Sequence, residues 1–231
     1  MSTRVGVVVF PGSNCEHDVA HAVEQLGGEA ELVFHDQDRL GRLDAVVLPG
    51  GFAHGDYLRP GALARFSPVM AAVTRFAAEG GPVVGICNGF QVLTEAGLLP
   101  GALQKNAGLR FLCTTVQVAV CSTKSVLTGG AQPQAVLELP VNHFEGNYTC
   151  DPATLEMLRA QDRIVLRYVE NPNGSVDDIA GVSNEAGNVV GLMPHPERAC
   201  DALTGGTDGA VLLRSRLSSA ASAAGALIRT G

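Results

Sequence analysis

The run Val83-Val84-Gly85-Ile86-Cys87-Asn88-Gly89-Phe90-Gln91 sets a cysteine where nucleophilic chemistry is readily done. A short apolar stretch enters a G-x-C-x-G turn and a helical pattern leaves it, which is the nucleophile-elbow layout with sulfur in place of oxygen. Gly85 and Gly89 leave room for the tight turn and for a substrate to come close. The amide groups that open the following helix point at the sulfur and favour the thiolate, the reactive form. By itself the motif also fits an inert, buried cysteine in a glycine-rich turn.

Two further segments supply the partners that such a cysteine needs. Pro194-His195-Pro196-Glu197 follows an apolar strand. Its prolines predict an extended backbone in which residues two apart project to the same side. His195 can then take the thiol proton while Glu197 holds the other ring nitrogen and stabilises the charged imidazole. The alternative is a structural turn beside a solvated glutamate. Pro49-Gly50-Gly51-Phe52 ends another strand. Its consecutive glycines expose backbone N–H groups that suit an anion nest or an oxyanion hole, unless they are only a tight turn. Nucleophile, base with orienter, and oxyanion donors make the full set for acyl transfer.

The elements that must position these groups are legible from the periodicity. Arg4 to Phe10 reads as a strand closed by Pro11-Gly12, and Ser13 or Asn14 is placed to cap a helix burying Val19, Ala22, Val23 and Leu26. Ala30 to Phe34 and Ala45 to Leu48 are further strands, and a helix presenting Val69, Val73 and Phe76 leads to Gly80-Gly81 and the elbow. Strands apolar on both faces predict a doubly wound, mostly parallel α/β sheet with active loops at the carboxyl ends of its strands. Beyond Gly101, segments 112–122 and 135–141 predict an antiparallel extension, followed by a helix at 152–160, strands at 163–169, 179–183 and 189–193, and a helix over 208–228. Neither a linker nor an internal repeat interrupts the 231 residues, so a single domain over 1–231 is expected.

Composition narrows the function classes. The net charge of −7 comes with no basic block, which argues against nucleic acid as a partner. No apolar run is long enough to span a membrane and no signal pattern opens the chain, so a cytoplasmic protein is expected. The six cysteines stand singly without a C-x-x-C pair, which argues against a zinc ribbon or a disulfide framework and for a reducing compartment. His17 and His21 have a metal-compatible spacing but no third ligand nearby in sequence, so no metal site is expected.

Phe10-Pro11-Gly12-Ser13-Asn14-Cys15, Pro49-Gly50-Gly51-Phe52, Gly55-Asp56-Tyr57-Leu58-Arg59, the elbow, Gly97-Leu98-Leu99-Pro100-Gly101, Asn173-Gly174-Ser175 and Met193-Pro194-His195-Pro196-Glu197-Arg198 run in order over nearly the whole chain. Together they resemble the class I glutamine amidotransferases, and within them the stand-alone glutaminase subunits of de novo purine synthesis. The resemblance implies a flavodoxin-like amidotransferase fold in which Cys87 attacks the side-chain amide of glutamine, His195 moves the protons and Glu197 orients His195. It also implies an oxyanion hole from the N–H groups of Gly51 and Asn88, and substrate contacts from Gly50, Phe52 and Gln91, the last of which would otherwise be a solvated helix position. Ammonia would pass to a separate synthetase subunit, with a small adaptor subunit completing the complex. No cofactor is expected in this chain, which lacks G-x-x-x-x-G-K-[ST]; ATP and magnesium would belong to the synthetase. The loop between Gly50 and Gly61, with Asp56, Tyr57 and Arg59, is the expected part of the docking surface.

One segment departs from the pattern. Asn142-His143-Phe144-Glu145-Gly146 has phenylalanine where these proteins usually show the first glycine of H-G-E-G. A positive φ there would be lost, so glutamine contacts are not carried onto His143 and Glu145. Ala53-His54 differs too, outside the triad. Three other readings remain open at this level: a glutaminase serving a different synthetase, a non-enzymatic α/β protein that senses oxidants through the elbow cysteine, or a cysteine hydrolase acting alone.

Overall fold

A computed structural model describes residues 2–203 and 205–214. Its first half alternates strands and helices: β1 (Arg4–Val9), α1 (Glu16–Gln25), β2 (Glu29–Phe34), β3 (Ala45–Leu48), α2 (Pro68–Ala78), β4 (Val83–Ile86) and α3 (Asn88–Glu95). The second half adds β5 (Ala102–Gln104), β6 (Leu112–Val120), β7 (Val136–His143), β8 (Asn147–Thr149), α4 (Pro152–Ala160), β9 (Ile164–Tyr168), β10 (Ile179–Ser183) and β11 (Val189–Leu192). Nine strands form one sheet in the order β2-β1-β3-β4-β11-β10-β9-β6-β7, and β5 pairs with β8 apart from it.

The sheet has two characters. From β2 to β11 every neighbour is parallel, and from β11 through β7 every neighbour is antiparallel. The central strands β3, β4 and β11 are buried at every residue, as expected of parallel strands covered on both faces. β7 instead alternates exposed and buried positions before its end, the pattern of an antiparallel strand with one solvated face. The mostly parallel sheet with an antiparallel extension is therefore as the sequence predicts, and only the short β5–β8 pair was not foreseen. Two three-residue strands are too short to show a period.

One local expectation is corrected and another is seen only in part. Neither Ser13 nor Asn14 caps α1; the N-cap is Cys15, with no side-chain cap bond, and Ser13 Oγ instead accepts the N–H of Phe10. Of the predicted helix over 208–228, residues 208–214 are helical and the rest lies outside the described residues.

The glycines around the elbow serve packing more than substrate access. A Cβ on Gly89 would lie 2.0 Å from the Leu48 carbonyl oxygen of β3, one on Gly85 would lie 2.6 Å from Leu93 Cδ1 and 2.7 Å from Gly89, and one on Gly191 would lie 2.0 Å from the Phe90 ring. Helix α3 thus rests directly on β3, β4 and β11. Overpacking such a contact costs about 1–3 kcal/mol or more. Gly89→Ala is accordingly expected to lower stability by at least about 2 kcal/mol, read as a lower urea midpoint in equilibrium denaturation, whereas Gly80→Ala, with open space around it, should change stability chiefly through its positive φ.

Candidate active site

Cys87 sits between β4 and α3 with φ 52° and ψ −105°. A side chain with a β-carbon adopts this region only at a cost on the order of 1–3 kcal/mol, so the surroundings must impose it. The Cys87 N–H donates to Leu192 O at 2.8 Å and the Gln91 N–H donates to Cys87 O at 3.2 Å, which fastens the turn to β11 on one side and to α3 on the other. The thiol is buried against β7, with Sγ 3.8 Å from Asn142 O.

His195 and Glu197 meet by a different route from the extended one expected. Pro196–Arg198 forms a 3₁₀ turn, and His195 precedes it with φ −103° and ψ 87°. Proline is preorganised for the first position of a helical turn, so Pro196 curls the chain and brings the glutamate back under the imidazole. His195 Nδ1 and Glu197 Oε1 lie 2.6 Å apart, and both side chains are buried. The His195 N–H donates to Pro140 O of β7 at 2.8 Å. Burial alone would push this imidazole towards neutrality, but the charges of Glu197 and Cys87, with added help from Cys15, hold its pKa well above the usual value.

Gly50 is where these groups converge. A Cβ there would lie 2.7 Å from His195 Cε1, 3.0 Å from Cys15 Sγ and 3.5 Å from Cys87 Cβ, so only glycine lets the loop after β3 pass between sulfur and imidazole. Gly51 has φ 146°, and its Cβ would meet Asn14 N and Ser13 Cα at 2.8 Å. Both conditions follow from the way this loop is laced to the one after β1: Cys15 N–H donates to Gly50 O at 3.2 Å and Phe52 N–H to Gly12 O at 2.8 Å.

The cleft over Cys87 has room for about 30 Å³. Of the residues proposed from sequence, Cys87, His195, Gly51, Phe52 and Gln91 line it, while Gly50 lies behind it against the triad. Asn88 turns its side chain away: Oδ1 accepts the Ala53 N–H at 3.0 Å, and Nδ2 donates to Asp56 Oδ1 at 3.1 Å and to Gln91 Oε1 at 2.9 Å. The Asn88 backbone N–H remains at the first turn of α3, where amide groups have no partner inside the helix. Gln91 is not a solvated position; it is buried, and Nε2 donates to Glu145 O at 2.6 Å.

Several lining residues were not assigned to the site from sequence. Cys15 and Asn14 come from the loop after β1, and Asn142 to Glu145 from the end of β7. Cys15 Sγ accepts from Arg198 Nη2 at 3.0 Å and faces Asn14 Oδ1 at 3.1 Å. A usable signal existed for Cys15, since its loop follows a parallel strand and must open at the carboxyl edge beside the elbow. Phe144 has no positive φ, so its replacement of glycine does not distort the segment, and His143 and Glu145 belong to the site after all. Asp56 also turns inward from the expected docking loop. Burial, opposed by the Asn88 hydrogen bond and reinforced by the charge of Glu145, pushes its carboxyl up to about 6.

Among the described residues, Cys15, His195 and Glu197 are close enough to share one metal ion. The 2.6 Å bond from Glu197 to Nδ1 already uses that carboxylate to hold the ring, and the Arg198 guanidinium on Cys15 is a poor neighbour for a cation.

Known proteins share this chain's sequence pattern and fold. Residues 2–207 match the CobB/CobQ-like glutamine amidotransferase domain. The chain is 59% identical over 217 residues to phosphoribosylformylglycinamidine synthase subunit PurQ of Rubrobacter xylanophilus, covering 94% of this chain and 99% of the relative. Its fold superposes on a chain of the PurLQS structure from Thermotoga maritima with a TM-score of 0.88 at 42% identity, covering 95% of this chain and 99% of the other. A further glutamine amidotransferase from Thermotoga maritima shares the fold at 16% identity, with a TM-score of 0.58 over 87% of this chain and 78% of the other. This chain belongs to the CobB/CobQ-like glutamine amidotransferases.

Proposed function

We propose that this chain is the glutaminase subunit of a phosphoribosylformylglycinamidine synthase, releasing ammonia from glutamine for a separate ATP-dependent synthetase subunit. The observation that carries the chemistry is the buried His195–Glu197 pair, with His195 lining the same cleft as Cys87 at the start of α3. The 59% identity to a PurQ subunit carries the choice of partner and pathway.

In this reading the site rests with an imidazolium beside a thiolate. Cys87 Sγ attacks the γ-carbonyl of glutamine, and the oxyanion is received by the N–H groups of Gly51 and Asn88. His195 passes its proton to the amide nitrogen as the C–N bond breaks, leaving a thioester on Cys87 and free ammonia. His195 then takes a proton from water, which opens the thioester to glutamate. Glu197 keeps the ring in one tautomer throughout. Phe52 and Gln91, which line the cleft, hold the substrate, and Gly50 leaves the room that His195 and Cys87 need behind it. ATP and magnesium act on the synthetase, and a small adaptor subunit completes the assembly.

A cleft with room for about 30 Å³, about one water, suits a chain whose site is completed only when its partner docks. Tyr57 and Leu58, 74% and 86% exposed, stand at the tip of the loop whose Asp56 reaches Asn88, and are the part of that loop offered to the synthetase. Arg59 is committed elsewhere, to Glu95.

Incubation with an electrophilic glutamine analogue, followed by peptide mapping, tests the assignment. A single adduct on Cys87, formed faster with synthetase and adaptor present and abolished in Cys87→Ser, is expected; no adduct with or without partners would sink the assignment. A second prediction follows from the sign of the His195 shift. Because Glu197 raises the imidazole pKa, Glu197→Gln should release the ring proton at lower pH and remove the cation that sustains the thiolate. Alkylation of Cys87 by iodoacetamide near pH 6 should then slow at least about tenfold relative to the unmodified chain.

A further inference from the structure

His143 is a buried histidine for which the steps above have no role. It ends β7, one residue past the carbonyl that faces Cys87, and lines the cleft with 3% of its surface exposed. Its ring packs so closely on Gly146 that a Cβ there would come within 2.1 Å of Cε1, so the glycine after Glu145 is a condition for the ring's position.

Hydrogen bonding decides which nitrogen carries the proton. Asn106 Nδ2 donates to Arg110 O at 2.9 Å and to His143 O at 3.0 Å, which makes Asn106 Oδ1 an acceptor. That oxygen accepts the Gly146 N–H at 3.0 Å and lies 3.1 Å from His143 Nδ1, so Nδ1 is the protonated nitrogen. Nε2 is left as a bare lone pair, buried and without a partner among the described residues. Burial and the nearby charge of His195 push this imidazole down to about 4, which keeps the same tautomer through the neutral range. A buried acceptor left unmatched is costly, and because His143 lines the cleft a donor on the bound substrate can match it.

We propose that His143 Nε2 accepts a hydrogen bond from the nitrogen that leaves glutamine, holding it as neutral ammonia. The inference rests on the glutaminase reading. The Cys87 sulfur–carbon bond forms, the carbon–nitrogen bond breaks, and the proton that completes ammonia comes from His195; His143 neither gives nor takes one. A histidine of ordinary basicity would be partly cationic beside His195, would repel it, and could return a proton to ammonia. His143 can only accept, and the product it holds stays nucleophilic for the synthetase.

The test compares glutamine with glutamate γ-methyl ester, whose leaving oxygen has no N–H, in the complex reconstituted with synthetase and adaptor. His143→Phe is expected to lower kcat for glutamine about tenfold, the scale of one lost hydrogen bond in the transition state, with KM and the ester rate within about twofold. His143→Gln, whose amide oxygen can accept, should recover most of the glutamine rate. His143→Leu carries the same expectation where the phenylalanine prevents folding, and labelling of Cys87 by the electrophilic analogue reports an intact site in each variant. An equal loss on both substrates, or no loss on glutamine, overturns the role of His143. A wild-type chain that is not labelled refutes the glutaminase reading instead.

Discussion

The direct contact between helix α3 and the sheet is the constraint on which the rest of the site depends. With no side chain at Gly85, Gly89 or Gly191, the first turn of the helix lies against the backbone of β3 and β4, and Phe90 is seated over β11. The chain can enter a helix so close to the strand it has just left only by turning sharply, and Cys87 takes the positive φ that the turn requires. Packing around the glycines offsets the strain on the cysteine. The sulfur therefore emerges at a helix N-terminus, at the carboxyl edge of the parallel strands, without depending on any side-chain hydrogen bond to aim it.

Around that point the two halves of the sheet contribute different parts. The parallel half supplies the loops after β1, β3, β4 and β11, and hence Cys15, Gly50, Gly51, Cys87 and the His195–Glu197 turn. The antiparallel half sends β7 across the open side, where Pro140 O holds the His195 backbone and Asn142 O faces the thiol. The electrostatics divide the same way. On the parallel side Glu197 and the sulfurs favour a charged His195; at the end of β7, burial and that same charge favour a neutral His143. Two histidines in one cleft are thus driven to opposite protonation states, which separates proton transfer from hydrogen-bond acceptance.

A buried amide network ties the cleft to the surface. Asn88 links Ala53 and Asp56 of the exposed loop to Gln91, and Gln91 reaches the Glu145 carbonyl beyond β7. His54, Asp56 and Leu58 all have positive φ, so this loop stores strain beside the exposed Tyr57 and Leu58. Two side chains, Asp56 and Asn88, separate that exposed tip from the N-terminal turn of α3.

The parallel half and its chemistry were legible in the residues because their determinants are local. Strands buried on both faces are apolar at every position, an elbow needs its flanking glycines, and His195 and Glu197 lie two residues apart, so their pairing survived even though a 3₁₀ turn replaced the expected extended backbone. Positions set by contacts between distant segments were not legible. Cys15 reaches Arg198 across 183 residues of chain and His143 reaches Asn106 across 37. Asp56 turns inward only because Asn88, on a helix formed later in the chain, is there to bind it. The amino-acid sequence by itself determined the elbow that holds Cys87, the pairing of His195 with Glu197 and the layered sheet that presents them; the tertiary structure alone decided what else faces the thiol and which ring nitrogen is bare, because a tautomer and a buried acceptor depend on neighbours that only folding brings together.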